Sequence, residues 1–592
     1  MSGPVPRPPQ PSQGQAGGPE AGASLTAIRS SRDVKERLGQ AVARAAGELA
    51  RQLGRDPLPP QLAARAAVIE VPREEAFGDF ASSAALALGG YLRRPPREVA
   101  EQLAAALRQH EELSVAEVEV AGPGFVNVRL RPSWLYEVAA RLATDGPEPA
   151  IPDVGRGRRV LLEFVSANPT GPMNVVNARA AAVGDALARL LAAGGFVVTR
   201  EYYVNDAGRQ VWLFARSVAA RMAELLGEQV AFPEEGYAGE YVRELAREML
   251  QADPSLAGLP YEQRVQRLAT EAVDRMVAHQ REDLARFGVE YEVWFREREL
   301  HRQGQVSRAL ELLRQRGHLY EADGALWLRS TAFGDDKDRV VVKRDGELTY
   351  LAADIAYHLH KLERGYQLLI DIWGPDHHGY VARVKAALAA LGYDPACLEV
   401  IILQLVTLTR SGEAVRMSKR AGQFVTMQEL LEEVGPDAAR YFFLARSPDS
   451  PLEFDVDLAR LASMENPVYY VQYAHARIAS LFRQAAAEGY SLPPGWAPHD
   501  LECLQSGLEV AVLKALAGYA DEVLQAIERR EPHRVVEYLH RLAGAFHSFY
   551  HEHRVLEEEP AVRTARLGLS RACQRVLAHG LSLLGIRAPE RM

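Results

Sequence analysis

Residues 159–204 constrain this chain most. Arg159-Val-Leu-Leu-Glu-Phe-Val165 has the length and apolar character of a strand, and Thr170-Gly171-Pro172 makes a turn. Ala178 to Leu191 carries helical spacing that Gly194-Gly195 ends, and Phe196-Val-Val-Thr-Arg-Glu-Tyr-Tyr-Val204 is a second strand. Strand, helix and strand at this spacing form a βαβ unit of a parallel sheet. A strand that ends in a Gly/Pro turn and opens a helix leaves helix N–H groups unpaired above the sheet, an anion site by geometry and by dipole. Asn174 and Asn177 lie three apart on the first turn, on one face. Their amides suit phosphate oxygens, but Asn is equally favoured as a plain helix cap. Spacing alone leaves both roles open.

The rest of the chain divides around this unit. Residues 1–28 are rich in Gly, Pro, Ser and Gln and predict a disordered tail. Residues 29–131 predict a small α+β domain: a helix from Val34 to Leu53, a strand at Ala66–Val71, two Ala/Leu-rich helices, and a hairpin of Val115–Val120 with Phe125–Leu130. A helix and linker over 132–157 lead to an α/β domain over 158–455, in which 206–320 reads as a mostly helical insertion. Strands resume at Leu326–Leu328, Val340–Lys343, Leu368–Trp373 and Val400–Leu403, and residues 456–592 predict an α-helical bundle.

Hydrophobic residues make up 47% of the 592, enough for sizeable cores, and the net charge of -9 gives no global sign of nucleic-acid binding. Cys397, Cys503 and Cys573 are too isolated for a disulfide framework or a Cys-based zinc site. No apolar run is long enough to span a bilayer, and the N-terminus lacks a signal-peptide core, so a soluble cytoplasmic protein without membrane contact is expected.

Three other segments carry chemistry. Arg416, Lys419 and Arg420 put three cations within five residues between Gly412 and Gly422, either a solvated basic loop or a phosphate-handling one. Gly374-Pro-Asp376-His377-His378-Gly379 follows the strand ending at Trp373, at the edge where ligands of parallel sheets collect. Its Asp-His-His invites a metal, but a third ligand at zinc spacing is missing, which favours contact with a nucleotide or substrate. Tyr350 and Asp354, four apart, share a helical face.

Ala167-Asn-Pro-Thr-Gly-Pro-Met-Asn-Val-Val-Asn177 and Arg416-Met-Ser-Lys-Arg420, about 240 residues apart, together resemble the two signatures of class I aminoacyl-tRNA synthetases. Asn466-Pro-Val-Tyr-Tyr-Val-Gln-Tyr-Ala-His-Ala-Arg477 and Gly585-Ile-Arg-Ala-Pro-Glu-Arg-Met592 resemble the anticodon-binding domain of the arginyl members. Phe77-Gly-Asp-Phe-Ala-Ser-Ser83 and Ala121-Gly-Pro-Gly-Phe-Val-Asn-Val128 are similar to the N-terminal module of that family, which touches the tRNA elbow. The resemblance implies a class I Rossmann-like catalytic domain and arginine–tRNA ligation, with ATP as substrate, Mg²⁺ on its phosphates, no zinc, tRNA(Arg) and L-arginine as partners, and a monomer. It implies Asn174, Asn177 and Lys419 as catalytic residues. ATP contacts would come from Thr170, Gly171, Pro172, Gly374, Asp376, His378, Arg416, Met417, Ser418 and Arg420. Glu163, Asn168 and His377 would hold substrate, with Tyr350 and Asp354 on the guanidinium. The family usually has His-Val-Gly-His where this chain has Asn174-Val-Val-Asn177: Asn replaces neutral imidazole as a donor but carries no charge, and Val176 adds a side chain where the adenine ring lies close. A non-catalytic tRNA-binding paralogue is the alternative that this departure suggests.

Overall fold

The computed structural model describes residues 28–72, 74–110, 114–415 and 425–592. The expected tail, up to residue 27, and the basic segment Arg416, Met417, Ser418, Lys419 and Arg420 lie outside the described residues.

At the centre is a five-stranded parallel sheet of β1 (Arg159–Glu163), β2 (Val197–Val204), β3 (Val293–Arg296), β4 (Leu368–Trp373) and β5 (Leu398–Ile402), in spatial order β5-β4-β1-β2-β3. Val160, Leu161 and Leu162 of β1 are fully buried, as expected of a central strand covered on both faces. Helix α1 (Val175–Ala193) covers one face and α2 (Tyr350–Glu363) the other. Alternation along the end of β1 decides which residue meets which helix. Phe164 faces α1, where a Cβ on Gly184 would lie 2.2 Å from its ring, so only glycine permits that approach. Glu163 faces α2 and meets Lys361. Strand order reverses between β1 and β4, and that crevice, beyond the carboxyl ends, is where such sheets bind ligands.

The structure corrects several strand expectations. Strands form at Leu326–Leu328 and at Val340–Val342 as expected, but they do not join the parallel sheet. They belong to a separate antiparallel sheet of Leu319–Ala322, Ala325–Leu328 and Arg339–Val342, since connections this short close hairpins, not crossovers. The insertion over 206–320 does hold long helices (Arg209–Leu225, Glu240–Ala252, Tyr261–Arg286), but it also contributes β3, four residues being too few to show alternation. The strand expected at Ala66–Val71 reduces to one bridge between Glu70 and Ala81. At the end of the α/β domain, Leu452–Asp455 is a further strand, paired in parallel with β6 (Val406–Arg410).

The N-terminal hairpin forms as expected, Val115–Ala121 with Phe125–Leu130, and Phe80–Ser82 adds a third strand. Phe80 is buried against Trp134, so its ring is core and not a surface for a base. Lys35 pairs with Asp521 at 2.6 Å and Lys514 with Asp79 at 3.2 Å, tying this domain to the C-terminal helices. Several C-terminal basic residues are likewise engaged inside the protein: Arg530 with Glu399 at the base of β5, Arg534 with Glu531, and Arg541 with Glu522. His547 packs on the helix Pro467–Ala487, its ring 3.2 Å from Arg477 and from the Tyr470 carbonyl, whereas His551 is exposed.

Candidate active site

The chain leaves β1 through two left-handed residues, Val165 (φ 68°) and Ser166 (φ 40°). A β-branched residue there is strained, and such strain concentrates at functional sites. The turn points the Ser166 hydroxyl at Glu163 Oε1 (2.9 Å), while its oxygen accepts the Tyr203 N–H (3.1 Å). The following turn is held from the insertion. Gln280 Nε2 donates to the carbonyls of Asn168 (3.2 Å) and Gly171 (3.0 Å), and the Tyr241 hydroxyl to that of Thr170 (2.8 Å). The Asn168 side chain stays exposed, Thr170 is buried, and Gly171 and Pro172 are half-buried.

The two roles left open for Asn174 and Asn177 turn out to be compatible. Asn174 caps α1: its Oδ1 accepts the N–H groups of Val176 (2.9 Å) and Asn177 (3.2 Å), and Asn177 Oδ1 accepts the Asn174 N–H (3.0 Å). Capping therefore uses both carbonyl oxygens. Both Nδ2 groups remain without a partner among the described residues and keep their donors for an anion.

Both flanks of residues 416–424 are fastened to this same helix start. Thr426 bridges Asn174, and the Met427 N–H donates to the Met173 carbonyl at 2.8 Å. On the other side, fully buried Arg179 of α1 donates to the carbonyls of Gln404 (2.9 Å), just before β6, and of Ser447 (3.0 Å) and Ser450 (3.0 Å), just before the strand Leu452–Asp455. Burial lowers the Arg179 pKa to about 10, against the pull of Asp449. Asn174 and Thr426, distant in the sequence, thus meet at one helix N-terminus.

Across the sheet, Asp371 of β4, Glu163 of β1 and Glu201 of β2 are in register and buried, three carboxylates in one row. Helix α2 and the residue just after it supply the matching cations. Lys361 donates to Glu163 Oε2 at 2.6 Å and to Asp371 at 2.9 and 3.2 Å. Arg364 grips Glu201 with two nitrogens at 2.6 and 2.9 Å, and the Tyr357 hydroxyl adds a 2.6 Å bond. His358 sits between two acceptors, the Asp354 carbonyl at 2.8 Å and Asp371 Oδ2 at 2.9 Å, so both contacts are hydrogen bonds only when the ring is doubly protonated. In that state three cations face three carboxylates. Burial raises Glu163, with Lys361 pulling the other way; burial also pushes Asp371 up, but Lys361 and His358 outweigh it and its pKa is lowered.

One turn before His358 the balance ends. Asp354 accepts the Tyr380 hydroxyl and meets no cation at ion-pair distance among the described residues. Burial raises its pKa. Glu297, on the short helix after β3, is also raised by burial, opposed by Tyr203 and His301, and Asp354 adds to the rise. Its nearest cationic group is the His301 ring, at 3.5 Å. Glu297, buried, and Asp354, half-buried, repel each other and have no Lys or Arg at ion-pair distance among the described residues, an arrangement that suits a positively charged group. Sequence patterning did not signal Glu297; Lys361 was missed too, although it continues the helical face of Asp354 and His358, a spacing that could have pointed to it. Tyr350 opens α2 but is 75% exposed, and no contact joins it to Asp354. Gly374 is half-buried and starts the turn Pro375–Tyr380, on which Asp376, His377 and His378 are exposed and only Tyr380 reaches Asp354. No group of three metal-ligating side chains occurs among the described residues.

A Rossmann-like parallel sheet with an anion-ready helix start at its switch point, helical insertion and helical C-terminal bundle defines the class I aminoacyl-tRNA synthetase fold. Residues 142–442 match the family model described as tRNA synthetases class I (R), catalytic domain. Residues 32–130 match the arginyl tRNA synthetase N terminal domain and 471–592 the DALR anticodon binding domain. The chain is 51% identical to an arginine–tRNA ligase of Desulforudis audaxviator, over 88% of this chain and 93% of that one. It is 48% identical to one of Moorella thermoacetica, over 93% and 97%. The solved Thermus thermophilus arginyl-tRNA synthetase aligns with a TM-score of 0.72 at 26% identity, over 94% of this chain and 100% of that one. This protein belongs to the arginyl-tRNA synthetase family.

Proposed function

We propose that this protein is an arginine–tRNA ligase that keeps an active ATP site despite its Asn174-Val-Val-Asn177 signature. The observation that carries the substrate is the unmatched carboxylate pair, Asp354 and Glu297, in the crevice of a class I fold. A guanidinium is planar and always charged, and suits two carboxylates better than any other side chain does. In this reading the α-ammonium of arginine lies at Glu163 and Asn168, with Tyr350 and His377 closing over the substrate from the exposed side.

The arginine carboxylate attacks the α-phosphate of ATP, forming arginyl-adenylate and releasing pyrophosphate. A terminal ribose hydroxyl of tRNA(Arg) then takes the arginyl group and AMP leaves. Little acid–base chemistry is required; the site positions the reactants and stabilises charge building on the pyrophosphate. The free amides of Asn174 and Asn177 and the α1 N-terminus face that charge, with Thr170, Gly171 and Pro172 forming the turn beneath it. Arg416, Lys419 and Arg420 would add cations, and Met417, Ser418, Gly374, Asp376 and His378 further nucleotide contacts. Magnesium enters on the ATP phosphates as part of that substrate. The half-buried capping network supports activity over the non-catalytic alternative, because it leaves the phosphate-facing donors unspent. The reading implies work in the cytoplasm as a monomer.

The test is aminoacylation of a bacterial tRNA(Arg) transcript with each amino acid, ATP and Mg²⁺, with pyrophosphate exchange run with and without tRNA. Arginine-specific charging is expected. Tight tRNA binding without charging overturns the assignment in favour of a binding protein.

A further inference from the structure

Glu163 and Asp354 mark the two ends of the proposed substrate, yet they come from different layers, one from β1 and one from α2. A continuous line of contacts joins them. Glu163 Oε2 accepts Lys361 at 2.6 Å, Lys361 holds Asp371 at 2.9 Å, Asp371 accepts His358 Nε2 at 2.9 Å, and His358 Nδ1 meets the backbone carbonyl of Asp354, one turn earlier in the same helix, at 2.8 Å. Every side chain in the line is buried or nearly so, and Lys361 is wholly inaccessible. With three bonds to two carboxylates, its ammonium uses all three of its donors and has none left for substrate. Lys361 therefore touches neither end of the amino acid, and its action is through the carboxylates it holds.

We propose that Lys361, with His358, is a positioning residue that fixes the span between the two carboxylate anchors, so that the site measures side-chain length. This rests on the arginine reading given above. Hydrophobic burial alone leaves a helix free to slide slightly over a sheet, whereas charge-assisted bonds from His358 and Lys361, on successive turns of one helical face, to a row of registered strands do not. The span from the α-ammonium site to the guanidinium site is then a property of one rigid helix–sheet contact. A site of this kind rejects homoarginine, one methylene longer, and 2-amino-4-guanidinobutanoic acid, one methylene shorter, because neither reaches both anchors in register.

The experiment compares arginine with these two analogues by tRNA-dependent pyrophosphate exchange in wild type, Lys361→Met and His358→Asn. One methylene is worth about 10–200-fold in kcat/KM to a rigid site. Wild type is expected to discriminate in that range, and each variant to bring the ratio of arginine to homoarginine within about threefold while arginine itself is used less well. Loss by one common factor for all three amino acids is what a merely structural residue gives, and it overturns the proposal. Should Lys361→Met fail to fold, His358→Asn, which keeps the ammonium and its carboxylates, decides the matter by the same ratio. Failure of wild type to activate arginine at all counts against the substrate assignment instead, so the two failures are told apart.

Discussion

Replacing Asp354 by Asn tests the heart of the substrate pocket. Asparagine keeps the volume and still accepts the Tyr380 hydroxyl, so the perturbation is the loss of one charge. Two carboxylates, Asp354 and Glu297, face one guanidinium, and the second survives. Removing one partner of a buried, hydrogen-bonded charge pair costs about 2–5 kcal/mol. With Glu297 retaining part of the attraction, the lower part of that range applies, about 2–4 kcal/mol. At 1.36 kcal/mol per decade, kcat/KM for arginine falls roughly 30- to 1,000-fold. The assay is pyrophosphate exchange with tRNA present, run beside citrulline, whose neutral urea has nearly the guanidinium shape. Arginine should lose most of its advantage over citrulline, while the KM for ATP and the affinity for tRNA stay unchanged. An equal loss for both amino acids, or none for arginine, refutes the claim that these carboxylates read the guanidinium charge.

Three further outcomes follow from the same geometry. Asn174→Asp keeps a residue of equal capping strength but puts an anion toward the phosphates; Tm should hold while the KM for ATP rises about tenfold, and an unchanged KM would confine Asn174 to capping. Arg440, buried, pairs with Asp185 of α1 and donates to the carbonyls of Leu584 (3.0 Å) and Phe287 (2.9 Å), joining catalytic domain, insertion and C-terminal end. Arg440→Met should cost about 3 kcal/mol in urea denaturation, the low end for a broken buried pair because Arg189 still holds Asp185 at 2.8 Å. Burial raises Asp354 and Glu297 above the usual carboxylate range, so the folded protein binds more protons than the unfolded chain between the ordinary value and the raised one. Stability of the free protein therefore declines as pH rises through that window, and the Tm increase given by arginine, which binds the ionised pair, should grow across it; an arginine effect independent of pH contradicts the pairing.

What could be seen in the sequence was whatever local spacing encodes. The strand–turn–helix of residues 159–193 was legible because apolar runs and a Gly/Pro turn are local signals, and Tyr350 and Asp354 because helical periodicity puts them on one face. Sharing a face did not make them share a site: Tyr350 sits on the first turn, 75% exposed, while Asp354 is one turn deeper against Tyr380. Glu297 was invisible, since it becomes a pocket residue only when a four-residue strand adds to the sheet edge far from β1 in sequence. The carboxylate row was hidden for the same reason: registration of Asp371, Glu163 and Glu201 is a property of strand order, which periodicity does not give.

The Asn pair shows where such reading stops and atoms take over. Treating capping and phosphate binding as rivals assumed that one side chain has one use. An amide has two ends. At this helix start the oxygens satisfy the N–H groups of Asn174, Val176 and Asn177, which fixes both side-chain planes and turns the Nδ2 groups away from the helix they cap. A histidine pair in the same places can add a positive charge; an asparagine pair trades that charge for donors whose orientation the backbone itself holds. On this argument the variant signature should lower transition-state stabilisation only to the extent that the missing charge matters, and the cations of the second signature are the groups that would make up the difference.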